Sequence, residues 1–187
     1  MTIIFQYGSN LDTERLNSRP RLRGDARYLG LARTLEPHQL SFTVWSEGNR
    51  CAAADLVPDS GRRIWGALYE VPDDLIRRET AGTRPSMDSI ENEGVEYRRT
   101  LIRVEPATPD VAATEALTWL VQHRREGLRT AFHYVRHILA GLLASNAPPD
   151  YLAYVRERIL TNNPALQAQV DGFLKAQDAC RKGHGPR

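Results

Sequence analysis

The sequence predicts an α+β fold in which a mixed β-sheet or small barrel packs against helices. Apolar and polar residues alternate through most of the first two thirds of the chain, a pattern typical of half-buried strands. From Thr130 onward, apolar residues recur instead at the spacing of an amphipathic helix. Because the 187 residues contain no repeat and no long linker, we expect one domain over residues 1–187, with its helices at about 130–178.

Six or seven strands are expected in the first part of the chain. The clearest are Ile3-Ile4-Phe5 and the alternating Leu40, Phe42 and Val44. Four further segments have strand patterns, at residues 51–58, 63–72, 97–105 and 115–122. Asp-Ser-Gly at 59–61 suits a tight turn, so segments 51–58 and 63–72 are predicted to pair as a hairpin.

Three helices are predicted in the last third. The first presents one apolar face, made by Val135, Ile138, Leu139, Leu142 and Leu143. The second begins after Pro148-Pro149-Asp150, and the third begins at Asn163 with Pro164 in its first turn. Upstream, a short helical stretch at 73–78 precedes a predicted loop at 79–89, and the polar tail at 181–187 is expected to fray.

Composition excludes several classes of protein. The net charge of +2, from 25 basic and 23 acidic residues, predicts no nucleic-acid partner. The longest apolar runs, such as 138–144, are far shorter than the roughly 20 residues of a membrane helix. No secretory signal is visible, so a cytoplasmic location is expected. Cys51 and Cys180 form no metal-spaced pair, and His133 and His137 have no third ligand, so no metal site is expected.

The opening strand is broken by Gly8, Ser9 and Asn10 just before a predicted helix. Free amide groups at such a point form a ready anion site. A plainer interpretation is that Ser9 and Asp12 form a capping box and that Gly8 only permits a tight backbone path. No dinucleotide-binding, P-loop or serine-hydrolase motif accompanies the stretch.

Four segments together resemble the γ-glutamyl cyclotransferase family. They lie in the family's order between about residues 3 and 160, and they read FQYGSNL, LVPDSGRRIWGALYEVP, MDSIENEGVEYRR and YVRHILAGLLASNAPPDYLAYV. The resemblance implies a small mixed β-barrel with flanking helices. It also implies conversion of a γ-glutamyl compound to 5-oxoproline, with release of an amine and without metal or cofactor.

The resemblance further implies a catalytic glutamate. If Met87-Asp88 corresponds to the Leu-Asp of the family motif, the acid is Glu91, and Tyr97 follows at a family-like distance. If the Glu-Gly pair is matched instead, the acid is Glu93, because Asn92 replaces the usual glycine after Glu91. Glu91 is preferred, and Glu93 remains the alternative.

The remaining site residues also follow from the resemblance. Substrate binding is assigned to residues 7–11 and to two later tyrosines, which gives Tyr7, Gly8, Ser9, Asn10, Leu11, Tyr97 and Tyr134. Each tyrosine is equally compatible with an ordinary half-buried aromatic whose hydroxyl is hydrogen-bonded. The partner is then a small γ-glutamyl molecule, with the protein a monomer or homodimer.

Two alternatives stay open at this point. The fold can be retained as a non-catalytic binding module, since fold alone does not guarantee chemistry. A tailoring enzyme that removes a γ-glutamyl protecting group would differ only in the leaving group. The form YGSN favours γ-glutamyl amino acids over other substrates, within the resemblance.

Overall fold

The computed structural model describes residues 1–59 and 61–183. Seven strands run as β1 Thr2–Gln6, β2 Arg27–Thr34, β3 His38–Ser46, β4 Cys51–Pro58, β5 Trp65–Val71, β6 Tyr97–Pro106 and β7 Thr114–Val121. The α-helices are α1 Thr13–Leu16, α2 Met87–Ile90, α3 Phe132–Ala144, α4 Pro149–Asn162 and α5 Gln167–Gly183. Short 3₁₀ turns occur at Ser9–Leu11, Asp73–Leu75 and Pro164–Leu166. The predicted α+β class is confirmed.

Five strands close a barrel in the order β1-β5-β2-β6-β7. All its contacts are antiparallel except the closing one, where Ile4 of β1 pairs with Leu117 of β7 in parallel. Strands β3 and β4 form a separate antiparallel pair. The barrel interior and the apolar faces of the helices share one buried cluster, whose largest fully buried side chains include Trp119, Tyr69, Tyr151 and Phe5.

The predicted hairpin of segments 51–58 and 63–72 is wrong. Strand β4 pairs with β3, whereas β5 lies between β1 and β2. Turn residues favour a reversal of the chain but do not choose the partner strand, and both edges of β5 are already occupied. Ser60, within that predicted turn, lies outside the described residues.

Strand β2 was not predicted, and a bulge accounts for the omission. Its pairing with β5 shifts register between Tyr28 and Gly30, and Gly30 has φ of 135°. A bulge inserts an extra residue and breaks the two-residue alternation that marks a strand in the sequence. The missing alternation therefore reflects a real irregularity of the strand.

Two smaller expectations about the middle of the chain also need correction. The predicted helical stretch at 73–78 is only the 3₁₀ turn Asp73–Leu75, and the predicted loop at 79–89 contains the start of α2. The three C-terminal helices are confirmed, including Pro164 at the start of a 3₁₀ turn that leads into α5. The predicted frayed tail lies partly at 184–187, outside the described residues.

Glycine at position 141 allows α3 to lie directly on the turn after β1. A Cβ atom on Gly141 would stand 2.4 Å from the carbonyl carbon and oxygen of Leu11 and 2.7 Å from the nitrogen of Asp12. Real Cβ atoms do not approach backbone this closely. The close packing of α3 therefore fixes the position of the Ser9–Leu11 turn relative to the barrel.

Over the described parts of the chain, no helix combines the length and apolarity needed to cross a bilayer.

Candidate active site

A small polar cavity lies at the end of the barrel where β1 finishes, and we call it the inner cavity. Residues from β1, β4, β6, β7, α2, α3 and the Ser9–Leu11 turn meet there. Its lining consists of Gln6, Tyr7, Gly8, Ser9, Asn10, Ala54, Glu91, Tyr97, Thr118, Trp119 and Tyr134. Segments more than a hundred residues apart in sequence therefore share one small polar chamber.

The turn after β1 brings its backbone into this chamber. Leu11 N–H donates to the Gly8 carbonyl at 3.0 Å, which closes the 3₁₀ turn. In the described part of the chain, the amides of Gly8 and Asn10 have no backbone acceptor. They are therefore available to an anion or carbonyl oxygen in the cavity.

The interpretation of Ser9 as a helix cap is wrong. Gly8 precedes the 3₁₀ turn without a side-chain cap, and Asp12 caps α1 by accepting from the amides of Glu14 and Arg15. The chain forms a separate turn before α1 begins, so the helix start lies three residues later than a capping box at Ser9 requires. Ser9 is consequently left beside the cavity.

Three buried tyrosines surround the turn, and each hydroxyl is hydrogen-bonded to backbone. Tyr7 donates to the Trp119 carbonyl at 2.7 Å, and Tyr97 donates to the Ala54 carbonyl at 2.9 Å. The Tyr134 hydroxyl accepts from the Ala54 amide at 3.0 Å. Tyr97 and Tyr134 thus bind both polar groups of one residue of β4, which holds that strand against the barrel.

Burial raises the pKa of each of these tyrosines. The pKa values of Tyr7 and Tyr97 lie well above the ordinary value. The pKa of Tyr134 is also raised, although its hydrogen bonds with Ala54 and Ser9 act in the opposite direction. All three hydroxyls therefore stay protonated at neutral pH. They can donate or accept hydrogen bonds, but they cannot serve as bases.

Glu91 is the carboxylate of the inner cavity. Asn10 Nδ2 donates to Glu91 Oε1 at 2.8 Å, and Arg21 Nη1 donates in turn to Asn10 Oδ1 at 2.8 Å. Burial raises the pKa of Glu91, although the charges of Arg21 and Arg15 and hydrogen bonds from Asn10 and Gln6 act in the opposite direction. A glutamate of raised pKa is suited to accept and return a proton near neutral pH.

The turn that follows α2 determines which glutamate enters the cavity. Glu91 ends the helix, and Asn92 adopts a left-handed conformation with φ of 51°. The amide of Glu93 then donates back to the Asp88 carbonyl at 2.8 Å, and that of Asn92 donates to the Ser89 carbonyl at 3.4 Å. These two bonds form a Schellman motif, in which asparagine is the common substitute for glycine.

The same geometry explains why Asn92 stands where the family motif has glycine. Asparagine tolerates the left-handed region better than other residues with side chains, so the turn is preserved. The replacement of the motif's glycine by Asn92, which was the reason to consider Glu93, is therefore explained by the backbone conformation that the turn requires.

Asp88 anchors α2 to the barrel. Its carboxylate accepts from Trp119 Nε1 at 3.1 Å and from Arg99 Nη1 at 2.5 Å. Arg78 Nη2 also donates to the carbonyls of Asp88 and Glu93, at 3.0 Å each. Because Trp119 itself lines the inner cavity, the position of Glu91 is tied to the cavity wall.

Most of the predicted site residues meet in the inner cavity, and two do not. Glu93 is absent from its lining, and Leu11 is a core residue whose carbonyl accepts from the Tyr69 hydroxyl. The sequence reasoning missed Gln6, Ala54, Thr118 and Trp119 among the lining residues. Gln6 adjoins the YGSN motif, so the sequence could have indicated it. The other three residues enter the cavity only through the pairing of distant strands.

A wider groove opens outside the inner cavity, and we call it the outer groove. A third, small pocket between them, which we call the throat, shares Ser9, Asn10 and Glu91 with the inner cavity. It shares Arg21 and Ser46 with the outer groove. The outer groove itself is lined by Arg15, Ser18, Pro20, Arg21, Ser46, Glu47, Gly48, Asn49, Ser89, Ile90, Asn92 and Glu96. It is therefore polar and carries charges of both signs.

The two histidines singled out in the sequence have separate structural roles. His137 Nδ1 lies 2.6 Å from Asp12 Oδ2, and His133 Nε2 lies 2.8 Å from the Asn49 carbonyl oxygen. Over the residues that the structure describes, no three His, Cys, Asp or Glu side chains gather as a metal site. Cys51 is buried within β4, as its run of small neighbours predicts.

Comparison with known proteins identifies the family of this chain and agrees with the barrel fold. The model of the family described as gamma-glutamyl cyclotransferase, AIG2-like, matches residues 4–136, well over half of the chain. This protein belongs to the gamma-glutamyl cyclotransferase, AIG2-like family. A search of curated protein sequences gives no significant match.

Solved structures show the same fold at low sequence identity. One named gamma-glutamyl cyclotransferase has a TM-score of 0.67 and 20% identity, over 83% of this chain and 86% of its own. The Homo sapiens protein loc79017, described as uncharacterized, has a TM-score of 0.66 and 22% identity over the same shares. YkqA from Bacillus subtilis has a TM-score of 0.66 and 21% identity, over 84% of this chain and 54% of its own.

Proposed function

We propose that this protein is a γ-glutamyl cyclotransferase that converts a γ-glutamyl amino acid or amine to 5-oxoproline and releases the amine, with Glu91 as the proton carrier. The single observation that carries the proposal is the hydrogen bond of 2.8 Å between Glu91 and Asn10. It joins a carboxylate of raised pKa to the same turn that offers backbone amides without a backbone acceptor, among the described residues.

The reaction is an internal substitution at the γ-carbonyl carbon. The substrate's α-nitrogen forms a bond to that carbon, and the bond from the carbon to the leaving nitrogen breaks. An α-ammonium loses two protons and the departing nitrogen gains two, so no water and no external proton are consumed. Glu91 accepts each proton from one nitrogen and returns it to the other.

The amides of Gly8 and Asn10 have the complementary task. They would donate to the substrate's α-carboxylate or to the oxyanion that forms on the γ-carbonyl oxygen, and both groups suit a pair of N–H donors. The neutral hydroxyls of Tyr7, Tyr97 and Tyr134 would shape the chamber without competing as bases.

Holding the substrate in a bent conformation supplies much of the acceleration. Oriented intramolecular reactions reach effective molarities on the order of 10⁵ M or more. The inner cavity is small and lined mainly by polar groups, which suits a compact, bent γ-glutamyl group better than an extended peptide. The leaving group would then extend through the throat into the outer groove.

The experiment measures release of 5-oxoproline from γ-glutamyl amino acids, γ-glutamyl amines and glutathione. Glu91→Gln keeps the shape of the side chain and an oxygen that can accept from Asn10 but removes the base, so we expect kcat to fall by about 10²–10⁴-fold. Glu93→Gln is the matched control, because its carboxylate does not line the cavity. It should keep kcat within about twofold, since no proton transfer depends on it.

Two results would contradict the proposal. Equal activity of Glu91→Gln and wild type would remove Glu91 from the chemistry, and loss confined to Glu93→Gln would transfer the role to the alternative glutamate. A folded wild-type protein that turns over no γ-glutamyl compound would instead support the non-catalytic binding module. Activity restricted to a protected biosynthetic amine would identify the tailoring reaction.

A further inference from the structure

Two arginines border the path from the inner cavity to the outer groove. Arg21 lines both the throat and the outer groove, and Arg15 lines the outer groove. Both side chains are half-buried, and each is held by a neutral amide oxygen. Arg15 Nη2 donates to Asn49 Oδ1 at 2.7 Å, and Arg21 Nη1 donates to Asn10 Oδ1 at 2.8 Å.

Neither guanidinium has a carboxylate partner within ion-pair distance in the described part of the chain. No ion pair within 4.0 Å involves Arg15 or Arg21 among the residues that the structure describes. In the same part of the chain, the buried Nε of Arg15 lacks any hydrogen-bond partner. Buried charges are normally paired, because an unpaired charge loses its hydration without compensation. Their pairing group is therefore expected to come from outside the chain.

The electrostatic surroundings support an anion at this point. Burial lowers the pKa of Arg15, and the neighbouring charge of Arg21 lowers it further. Burial likewise lowers the pKa of Arg21, against the opposing effect of the Glu91 charge. Arginine nevertheless stays protonated in proteins, so two cations stand side by side at the entrance. A bound carboxylate would compensate for the hydration that the two guanidinium groups lose on burial and for the repulsion between them.

The two acidic residues of the outer groove differ in position, because Glu96 also lines the throat whereas Glu47 does not. The charges of Arg21 and Arg15 both act on the pKa of Glu91, whereas Glu47 acts on the pKa of Glu96. Glu96 itself interacts with Asn92 and Arg125. The arginines are therefore the cations whose charge acts on Glu91, and they can attract a negatively charged group on the leaving side of the substrate.

We propose that Arg15 and Arg21 bind a carboxylate on the leaving group and so select γ-glutamyl amino acids over γ-glutamyl amines. In a γ-glutamyl amino acid, this carboxylate lies one carbon from the scissile nitrogen. The planar fork of a guanidinium matches a carboxylate with two parallel hydrogen bonds. The inference rests on the proposed cyclotransferase function, and it assigns specificity to residues outside the inner cavity.

The test compares two substrates that differ only in the carboxylate, γ-glutamyl-L-alanine and γ-glutamyl-ethylamide. Wild type should have kcat/KM at least about tenfold higher for the alanine compound, because the ethylamide leaves the arginines unpaired. Measured above the acid limb of the pH profile, where Glu91 is ionised in both proteins, Arg15→Gln should lower kcat/KM for γ-glutamyl-L-alanine by about tenfold, mainly through KM. It should change kcat/KM for the ethylamide by less than about twofold.

Two further variants distinguish the fork from charge alone. Arg15→Lys keeps the charge but loses the paired donors, so it should recover only part of the preference. Arg19→Gln is the matched control, because Arg19 lies on the same segment but is exposed and does not line the groove. It should leave both substrates unchanged. Thermal unfolding of each variant checks that the fold is intact.

Failure of the inference and failure of the proposed function give different results. If wild type turns over both substrates equally, or if Arg15→Gln slows both equally, cyclisation stands and the carboxylate site is overturned. A preference for the ethylamide would also overturn it and would indicate that Glu47 and Glu96 repel a carboxylate on the leaving group. If neither substrate yields 5-oxoproline, the proposed function falls, and the inference falls with it.

Discussion

The inner cavity and the outer groove adjoin each other, but they differ in how fully the protein itself hydrogen-bonds their polar groups. In the inner cavity the hydroxyls of Tyr7, Tyr97 and Tyr134 all have protein partners, and Glu91 is hydrogen-bonded to Asn10. In the outer groove, Arg15 keeps a buried nitrogen without a partner in the described part of the chain. The fold therefore positions the reacting groups itself but leaves charge in the groove for a ligand to neutralise.

The largest effect is expected where the inner cavity depends on backbone packing. Gly141→Ala would place a methyl group 2.4 Å from the backbone of Leu11, so α3 and the turn must separate. We expect it to lower the free energy of unfolding by about 3 kcal/mol, the upper range for overpacking. Urea denaturation measures this change. The 5-oxoproline assay should show a loss of activity with both γ-glutamyl-L-alanine and γ-glutamyl-ethylamide.

Gly172→Ala provides the matched control for that substitution. Gly172 lies in α5, and a Cβ there would meet nothing within 4 Å. Replacing a helical glycine by alanine at an open position should stabilise the protein by about 0.5–1 kcal/mol. Equal effects of the two substitutions would show that the contact between α3 and the turn does not constrain the cavity.

Acidification should disable the inner cavity without changing the selectivity of the outer groove. The base must be ionised, and burial raises the pKa of Glu91. Activity should therefore begin to fall at a higher pH than an ordinary glutamate predicts. Below the raised pKa, kcat/KM should drop about tenfold per pH unit, or about a hundredfold over two units, equally for both substrates.

Arg21→Gln sharpens the same measurement. The Arg21 charge is the largest influence that lowers the pKa of Glu91. Its removal should move the acid limb of the pH profile to higher pH. A limb that stays in place, or that falls at the pH of an unperturbed carboxylate, would mean that Glu91 is not the group that limits the rate.

A smaller effect is expected on stability when the buried charge is removed. Because the pKa of Glu91 is raised on folding, the protonated form stabilises the folded state. That contribution is fully present below the unfolded pKa and is lost as pH rises through the folded pKa. Glu91→Gln should therefore be more stable than wild type at pH 7, by about 1 kcal/mol or about 2–4 °C in Tm.

Thermal scans at several pH values check the sign of this effect. The stabilisation by Glu91→Gln should shrink as the pH falls through the raised folded pKa and should be absent below about 4, where the wild-type carboxyl is protonated in both states. Glu93→Gln should show no such dependence, because its side chain lies outside the inner cavity. Destabilisation by Glu91→Gln at pH 7 would contradict the expected sign.

The smallest effect concerns the turn that orients Glu91. Asn92 has φ of 51°, so Asn92→Gly should leave stability and activity nearly unchanged, within about 0.5 kcal/mol. Asn92→Ala should cost about 1 kcal/mol, because alanine bears the full penalty of the left-handed region. Urea denaturation distinguishes the two, and equal costs would exclude backbone strain as the reason for asparagine at this position.

Local patterns predicted much of the fold. Alternation of apolar residues located six of the seven strands, and helical spacing located α3, α4 and α5. Strand β2 was not predicted because its bulge at Gly30 disrupts the alternation of apolar and polar residues. The hairpin prediction failed because turn residues describe a reversal within a few residues, whereas the pairing of β5 with β1 and β2 is decided across the whole barrel.

The candidate site divides along the same line. The sequence by itself determined the family motifs, and with them the turn at Gly8 and the short list of carboxylates near position 91. Only the tertiary structure decided that Glu91, and not Glu93, lines the inner cavity, and that Arg15 and Arg21 stand beside it without a carboxylate partner in the described part of the chain. The physical reason is that motifs are local, whereas burial and pairing of charge depend on which distant segments the barrel brings together.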